Sequence, residues 1–178
     1  MPKFSAPGLL AIGLLAMLPL HQQAQADTLA EDKAKVGFIF NFTKYTEWPN
    51  SVMSEKELRL CSLSPQPLSG RLGALQGQQV QGRPIQLRLS AHTAEWPHCH
   101  VLFIAAEDTQ RLDNVLKTIT RYPVLSISDA PDFAEAGGII GLHLRDGRIR
   151  FVINQGAARQ AGIKLSSQLL KLAEKVLP

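Results

Sequence analysis

The chain has 178 residues, 45% of them hydrophobic and 19% charged, with a formal net charge of +4 and two cysteines. That length suits one domain able to bury its own core without many disulfides. The mild charge is spread along the chain rather than gathered in runs, which argues against a nucleic-acid-binding surface.

The first residues run in the order a secretion signal requires. Lys3 gives a short basic start, Leu9 to Leu20 is apolar, and Ala24-Gln25-Ala26 supplies small residues for cleavage. The apolar run is shorter than the roughly 20 residues needed to span a bilayer, and His21-Gln22-Gln23 ends it. Cleavage is expected after Ala26, dividing the chain into a signal peptide, 1–26, and one exported domain, 27–178. In an oxidising compartment the pair Cys61 and Cys99 is expected to form one structural disulfide, closing a loop of about 38 residues.

From Leu29 to Tyr45 there is no proline, and apolar residues wrap most of a helix circumference. Phe38, Phe42 and Tyr45 follow i, i+4, i+7, while Val36 and Phe40 point to nearly the opposite side. So apolar a helix is either sandwiched in the core or covers a partner, and a twofold dimer built on it is one form that partner could take.

After Trp48-Pro49, alternation predicts half-buried strands at 58–63 and 85–89, with a short helix at 68–75 between them. The continuous apolar run 101–106 reads as a central strand covered on both faces. Acidic residues Glu107 and Asp108 precede a predicted helix, 110–121, which Pro123 ends before a strand at 124–128. A strand, helix, strand order of this kind favours a parallel pair. Strands 139–144 and 149–154 are joined through Arg145-Asp146-Gly147-Arg148, where Asp-Gly signals a hairpin and makes the sheet mixed. The end of the chain reads as helix at 157–161 and again at 165–177, with a break near Gly162. The expected fold is a single α/β domain, a mixed β-sheet flanked by helices on both faces.

Three strings could carry chemistry. His98-Cys99-His100 offers imidazole and thiolate, both good ligands for zinc or copper, with His92 or His143 as helpers. In an extended segment, however, Cys99 faces away from both histidines, and a disulfide would take its sulfur. A solvated strand entrance is the simpler reading, so no metal is expected. Asp129, Asp132 and Glu135 stand before Gly137-Gly138 and are explained by a turn and a helix N-terminus, while Gly137-Gly138 lacks phosphate-loop or dinucleotide spacing and marks a turn or close packing. Ser166 and Ser167 sit where hydroxyls cap a helix, outside any nucleophile elbow. No enzyme signature and no cofactor emerges. The aromatic cluster Phe38, Phe42, Tyr45 and Trp48 remains as core filling or as partner-binding anchors, since aromatics are favoured at interfaces.

The segment Lys-Val-Gly-Phe-Ile-Phe-Asn-Phe-Thr-Lys-Tyr-Thr-Glu-Trp-Pro at 35–49 resembles the opening signature of the YfiR family. Further pieces follow in order: Leu60-Cys61, Gly82-Arg83-Pro84-Ile85, Cys99-His100-Val101-Leu102-Phe103-Ile104, Gly137-Gly138-Ile139-Ile140, and Ala161-Gly162-Ile163-Lys164-Leu165-Ser166-Ser167 among them. The resemblance implies a periplasmic, non-enzymatic repressor that binds the periplasmic portion of a membrane diguanylate cyclase, so lowering cyclic-di-GMP and biofilm formation. It also implies capture of the repressor by an OmpA-like outer-membrane lipoprotein. Cys61 and Cys99 match the family's disulfide pair. The second pair that some members carry in the late hairpin is absent, since 138–151 contains no cysteine. The alternatives kept open are a periplasmic sensor with a small-ligand pocket beside the first helix, and a metal or redox enzyme using His98, Cys99 and His100.

Overall fold

The computed structural model describes residues 20–178 apart from Ser54. Of the expected signal peptide, residues 1–19 lie outside the described residues. No helix among the described residues is long and apolar enough to cross a membrane.

Helix α1 (Leu20–Lys44) leads through β1 (Thr46–Glu47) and α2 (Asn50–Met53) into the sheet strands β2 (Leu58–Ser62), β3 (Gln79–Val80), β4 (Arg83–Arg88) and β5 (Val101–Ile104). Then come α3 (Leu112–Ile119), β6 (Leu125–Ser128), β7 (Ile140–Arg145), β8 (Arg148–Asn154), α4 (Gln155–Gln160), β9 (Lys164–Leu165), α5 (Ser167–Leu172) and β10 (Lys175–Leu177). The main sheet has eight strands in the order β10-β8-β7-β6-β5-β2-β4-β3. Its central five, β4-β2-β5-β6-β7, are mutually parallel, whereas β8 runs against β7 and β3 against β4. Strand order reverses between β2 and β5, which defines a doubly wound sheet.

Each face of the sheet has its own core, because side chains alternate along every strand. In register, Phe103 lies beside Ile127, Ile127 beside Ile140 and Ile140 beside Ile153, all buried on the face that α1 covers. Leu102 and Ile104 point the other way, to a second cluster with Cys61, Cys99, Trp96, Phe133 and the α3 residues Val115 and Ile119. Helices on both faces and a mixed sheet are therefore as the sequence predicts. The hairpin is also as expected: Asp146 and Gly147 both take positive φ, 51° and 69°, the backbone a tight two-residue turn requires.

Three elements differ from expectation. The segment 68–75 is not a plain helix: Leu68, Ser69 and Gly70 all have positive φ, and only Arg71–Leu75 winds as a 3₁₀ turn. The expected helix 110–121 is a 3₁₀ turn over Ala106–Arg111 followed by α3, which is shorter. The largest departure is the predicted helix 165–177. Leu165 pairs with Thr46 in a small separate sheet, α5 stops at Leu172, and Lys175–Leu177 becomes an edge strand parallel to β8. Long-range pairing overrides the helical spacing there.

Candidate functional site

The aromatic cluster predicted as partner-binding is divided by the fold. Phe42 is 1% exposed and meets Phe151 of β8 edge-on with ring centroids 4.9 Å apart, while Phe38 packs at 5.8 Å from both rings and stays half-buried. These rings hold α1 against the hairpin. Trp48 is buried at 5%, and its indole Nε1 donates to the His100 carbonyl at 3.2 Å. Tyr45 alone of the four is exposed, at 39%, although its backbone is held: its carbonyl accepts from Ser166 N at 3.0 Å. The ring of Phe40, half-buried, lies 5.5 Å beneath the Lys44 ammonium.

Cys61 and Cys99 form the disulfide, with Cα atoms 6.0 Å apart, inside the cluster on the α3 face. The string His98-Cys99-His100 is thereby taken apart as a ligand set. Among the described residues no three His, Cys, Asp or Glu side chains are grouped to hold a metal ion. His100 is fully buried at the base of β5, where its Nδ1 accepts from Arg59 N at 3.1 Å. Burial pushes its pKa below the ordinary value, the nearby Glu55 carboxylate opposes that shift, and the guanidinium groups of Arg59 and Arg83 reinforce it.

Two features were not legible in the local sequence. Lys35, on the inner side of α1, reaches Asp129 at the end of β6 at 2.7 Å and Glu31 one turn back at 2.8 Å. Burial alone would lower the lysine's pKa, but its hydrogen bonds to Asp129 and Glu31 outweigh that and raise it. The other oxygen of Asp129 accepts from Ala106 N at 2.8 Å, so a single carboxylate ties α1, β6 and the turn after β5. The second feature is an open groove of about 370 Å³ where β7 outruns β6, bounded by Glu31 and Lys35, the loop from Asp129 to Glu135, and His143 and Leu144. Its carboxylates are largely engaged: Glu31 and Asp129 share Lys35, and Glu135 meets Lys175 at 3.3 Å. Glu174, just before β10, binds the hairpin residue His143 at 2.8 Å and also pairs with Arg145; the hydrogen bond from His143 leads in lowering its pKa.

The smaller motifs are structural. Ser166 Oγ accepts from Leu169 N at 3.2 Å and caps α5. Asp132 has φ 53° in a turn, so the 129–135 carboxylates belong to a loop and not to a helix start. Gly138 is a site of close packing: a Cβ there would lie 2.1 Å from the Phe133 ring. The phenyl ring thus occupies the space a side chain would need.

The fold is a doubly wound α/β domain whose conspicuous side chains are packed aromatic rings and the Lys35–Asp129 ion pair, and a fold by itself does not assign a function. The model of the YfiR/HmsC-like family matches residues 32–174, and the chain belongs to that family. The match begins at Asp32, a buried residue of α1. Among solved structures, a conserved domain protein from Vibrio cholerae O1 biovar El Tor aligns with a TM-score of 0.57 at 14% identity, over 79% of this chain and 59% of that one. The likeness shows the fold. A domain from Streptococcus pneumoniae, described as an ABC domain in complex with L-Trp, aligns at 0.49 and 12% identity over 68% and 55%. The chain thus spans somewhat over half the length of these structures.

Proposed function

We propose that this chain is an exported regulator that restrains a membrane diguanylate cyclase by binding its periplasmic portion. The match to the YfiR/HmsC-like family over residues 32–174 carries the reading. The exposed Tyr45, just past the end of α1 and at i+7 from half-buried Phe38, supports it as an aromatic anchor. Buried Phe42 and Trp48 would act behind that anchor, holding its backbone.

The mechanism is a population shift and requires no catalysis. A regulator that prefers the cyclase's inactive state can hold it there; moving the balance from 1:99 to 99:1 needs a preference of about 10⁴-fold, about 5.5 kcal/mol. Capture by an OmpA-like outer-membrane lipoprotein would free the cyclase by competition. Placing a photo-crosslinking residue at Tyr45 tests the contact. The expected product joins the chain to a membrane diguanylate cyclase, while the same residue at Tyr122, exposed at 45% and following α3, gives none. Equal yields from both positions, or no cyclase product from Tyr45, would contradict it.

The groove of about 370 Å³ beside α1 favours a second reading, a sensor for a small ligand. The two readings part in a purified system. A repressor lowers cyclase activity with no small molecule added, whereas a ligand sensor does so only in the presence of its ligand.

A further inference from the structure

The corner where α2 leads into β2 encloses an ionisable ring completely. His100 has no exposed surface, and its Nδ1 accepts the Arg59 backbone N–H at 3.1 Å. A neutral imidazole with Nδ1 as acceptor carries its proton on Nε2. That Nε2 faces the Val52 backbone carbonyl and the Glu55 carboxylate, yet has no partner in hydrogen-bonding geometry; Glu55 Oε2 is 3.9 Å away.

The charged groups facing the ring are Glu55 from the segment after α2, Arg59 from β2 and Arg83 from β4. Glu55 is already committed to Arg59, whose Nη2 it meets at 2.8 and 3.0 Å. A second proton on the ring would set an Nδ1–H against the Arg59 N–H, donor against donor, and add a positive charge beside two guanidinium groups. The Trp48 ring stands edge-on to the imidazole at 6.1 Å, and the Trp48 indole hangs on the His100 carbonyl. The carbonyl itself is fixed in the sheet, since Leu125 N also donates to it at 2.8 Å; displacement of the imidazole acts on the Trp48 segment by removing the ring packed against the indole.

We propose that His100 is an acid-triggered latch: protonation drives its ring out of the corner and releases the Trp48 segment while the rest of the sheet stays folded. For an exported protein, whose surroundings follow the pH outside the cell, this would make the surface next to Tyr45 responsive to acid; that consequence, but not the latch, rests on the proposed location. The sign follows from the direction of the shift. The folded-state pKa lies below the ordinary 6.5, so the closed corner is fully stable above 6.5 and is lost as pH falls through the lower, folded value.

The test is hydrogen exchange of the two indole N–H groups in the purified exported chain between pH 7.5 and 4.5, corrected for intrinsic exchange. Trp96 serves as the internal reference, because its indole donates to Ala91 O at 3.0 Å in the separate core on the α3 face. The expected result is that protection of the Trp48 indole falls about tenfold or more with a one-proton midpoint below 6.5, while that of Trp96 holds. His100→Asn, which keeps an acceptor for the Arg59 N–H but cannot ionise, should abolish the effect. Should that variant fail to fold, the imidazole proton resonances of His100 in the native chain report the same midpoint directly. Unchanged Trp48 protection, loss of both indoles together, or the same loss in a folded His100→Asn would overturn the latch. No partner enters the measurement, so its failure is separate from failure of the repressor reading.

Discussion

The two halves of the sheet are held together by different means. On the β4-β2-β5 side, a disulfide fixes β2 to the entrance of β5, and a buried imidazole with three charged neighbours fills the base of the strands. On the β7-β8-β10 side there is no cysteine; α1 is pinned by the tilted and edge-on rings of Phe38, Phe42 and Phe151, and the outer strand is three residues long. The comparison teaches that one half is closed by a covalent bond inside its apolar core and the other by aromatic packing against the first helix. The crosslink acts chiefly by restricting the unfolded chain, while the polar corner near it contributes little net stability of its own.

Breaking the apolar side should have the largest effect. Phe42→Ala removes a 1% exposed ring from the three-ring cluster and should cost about 3 to 5 kcal/mol, seen as a lowered denaturant midpoint. A smaller loss would mean that α1 is held chiefly by its ion pairs. Cys99→Ser opens a loop of 38 residues and should cost about 3 to 4 kcal/mol on the chain-entropy model, read in the same unfolding experiment. Next comes Lys35→Met, which leaves Asp129 and Glu31 without their cation at the seam between the halves. A loss of about 3 kcal/mol is expected from a pair this deeply placed, with side chains 10% and 11% exposed. Tyr45→Ala should scarcely move stability, within about 0.5 kcal/mol, yet weaken partner binding by about 2 kcal/mol, roughly thirtyfold in Kd by titration calorimetry.

The same contrast explains what could be read in the sequence. Strands β2, β5, β6, β7 and β8 are legible because each keeps a period of two or a continuous apolar run, and Asp146-Gly147 names its own turn. The C-terminal segment misleads because Leu165, Leu169, Leu172 and Val176 happen to fall at helical spacing, whereas their states are set by distant partners, Thr46 for Leu165 and Ile153 for Val176. In the candidate site, the cysteine pair is readable from number and compartment. His100 is not: beside Cys99 it suggests a metal ligand, and its actual role depends on Arg59, 41 residues earlier in the chain. The Lys35 to Asp129 pair spans 94 residues and leaves no local trace. Nor does the sequence separate Tyr45 from Phe42: both fall on one helical face, but α1 ends at Lys44, and of the two it is Phe42 that meets Phe151 of β8.

Restraint of a diguanylate cyclase by this chain is tested most directly by the cellular level of cyclic-di-GMP. Deleting the gene while every diguanylate cyclase of the organism remains intact should raise cyclic-di-GMP and surface attachment. The full-length chain should restore the lower level, and a version lacking residues 2–26 should not. Unchanged cyclic-di-GMP in the clean deletion, or full restoration by the leaderless version, would contradict the account.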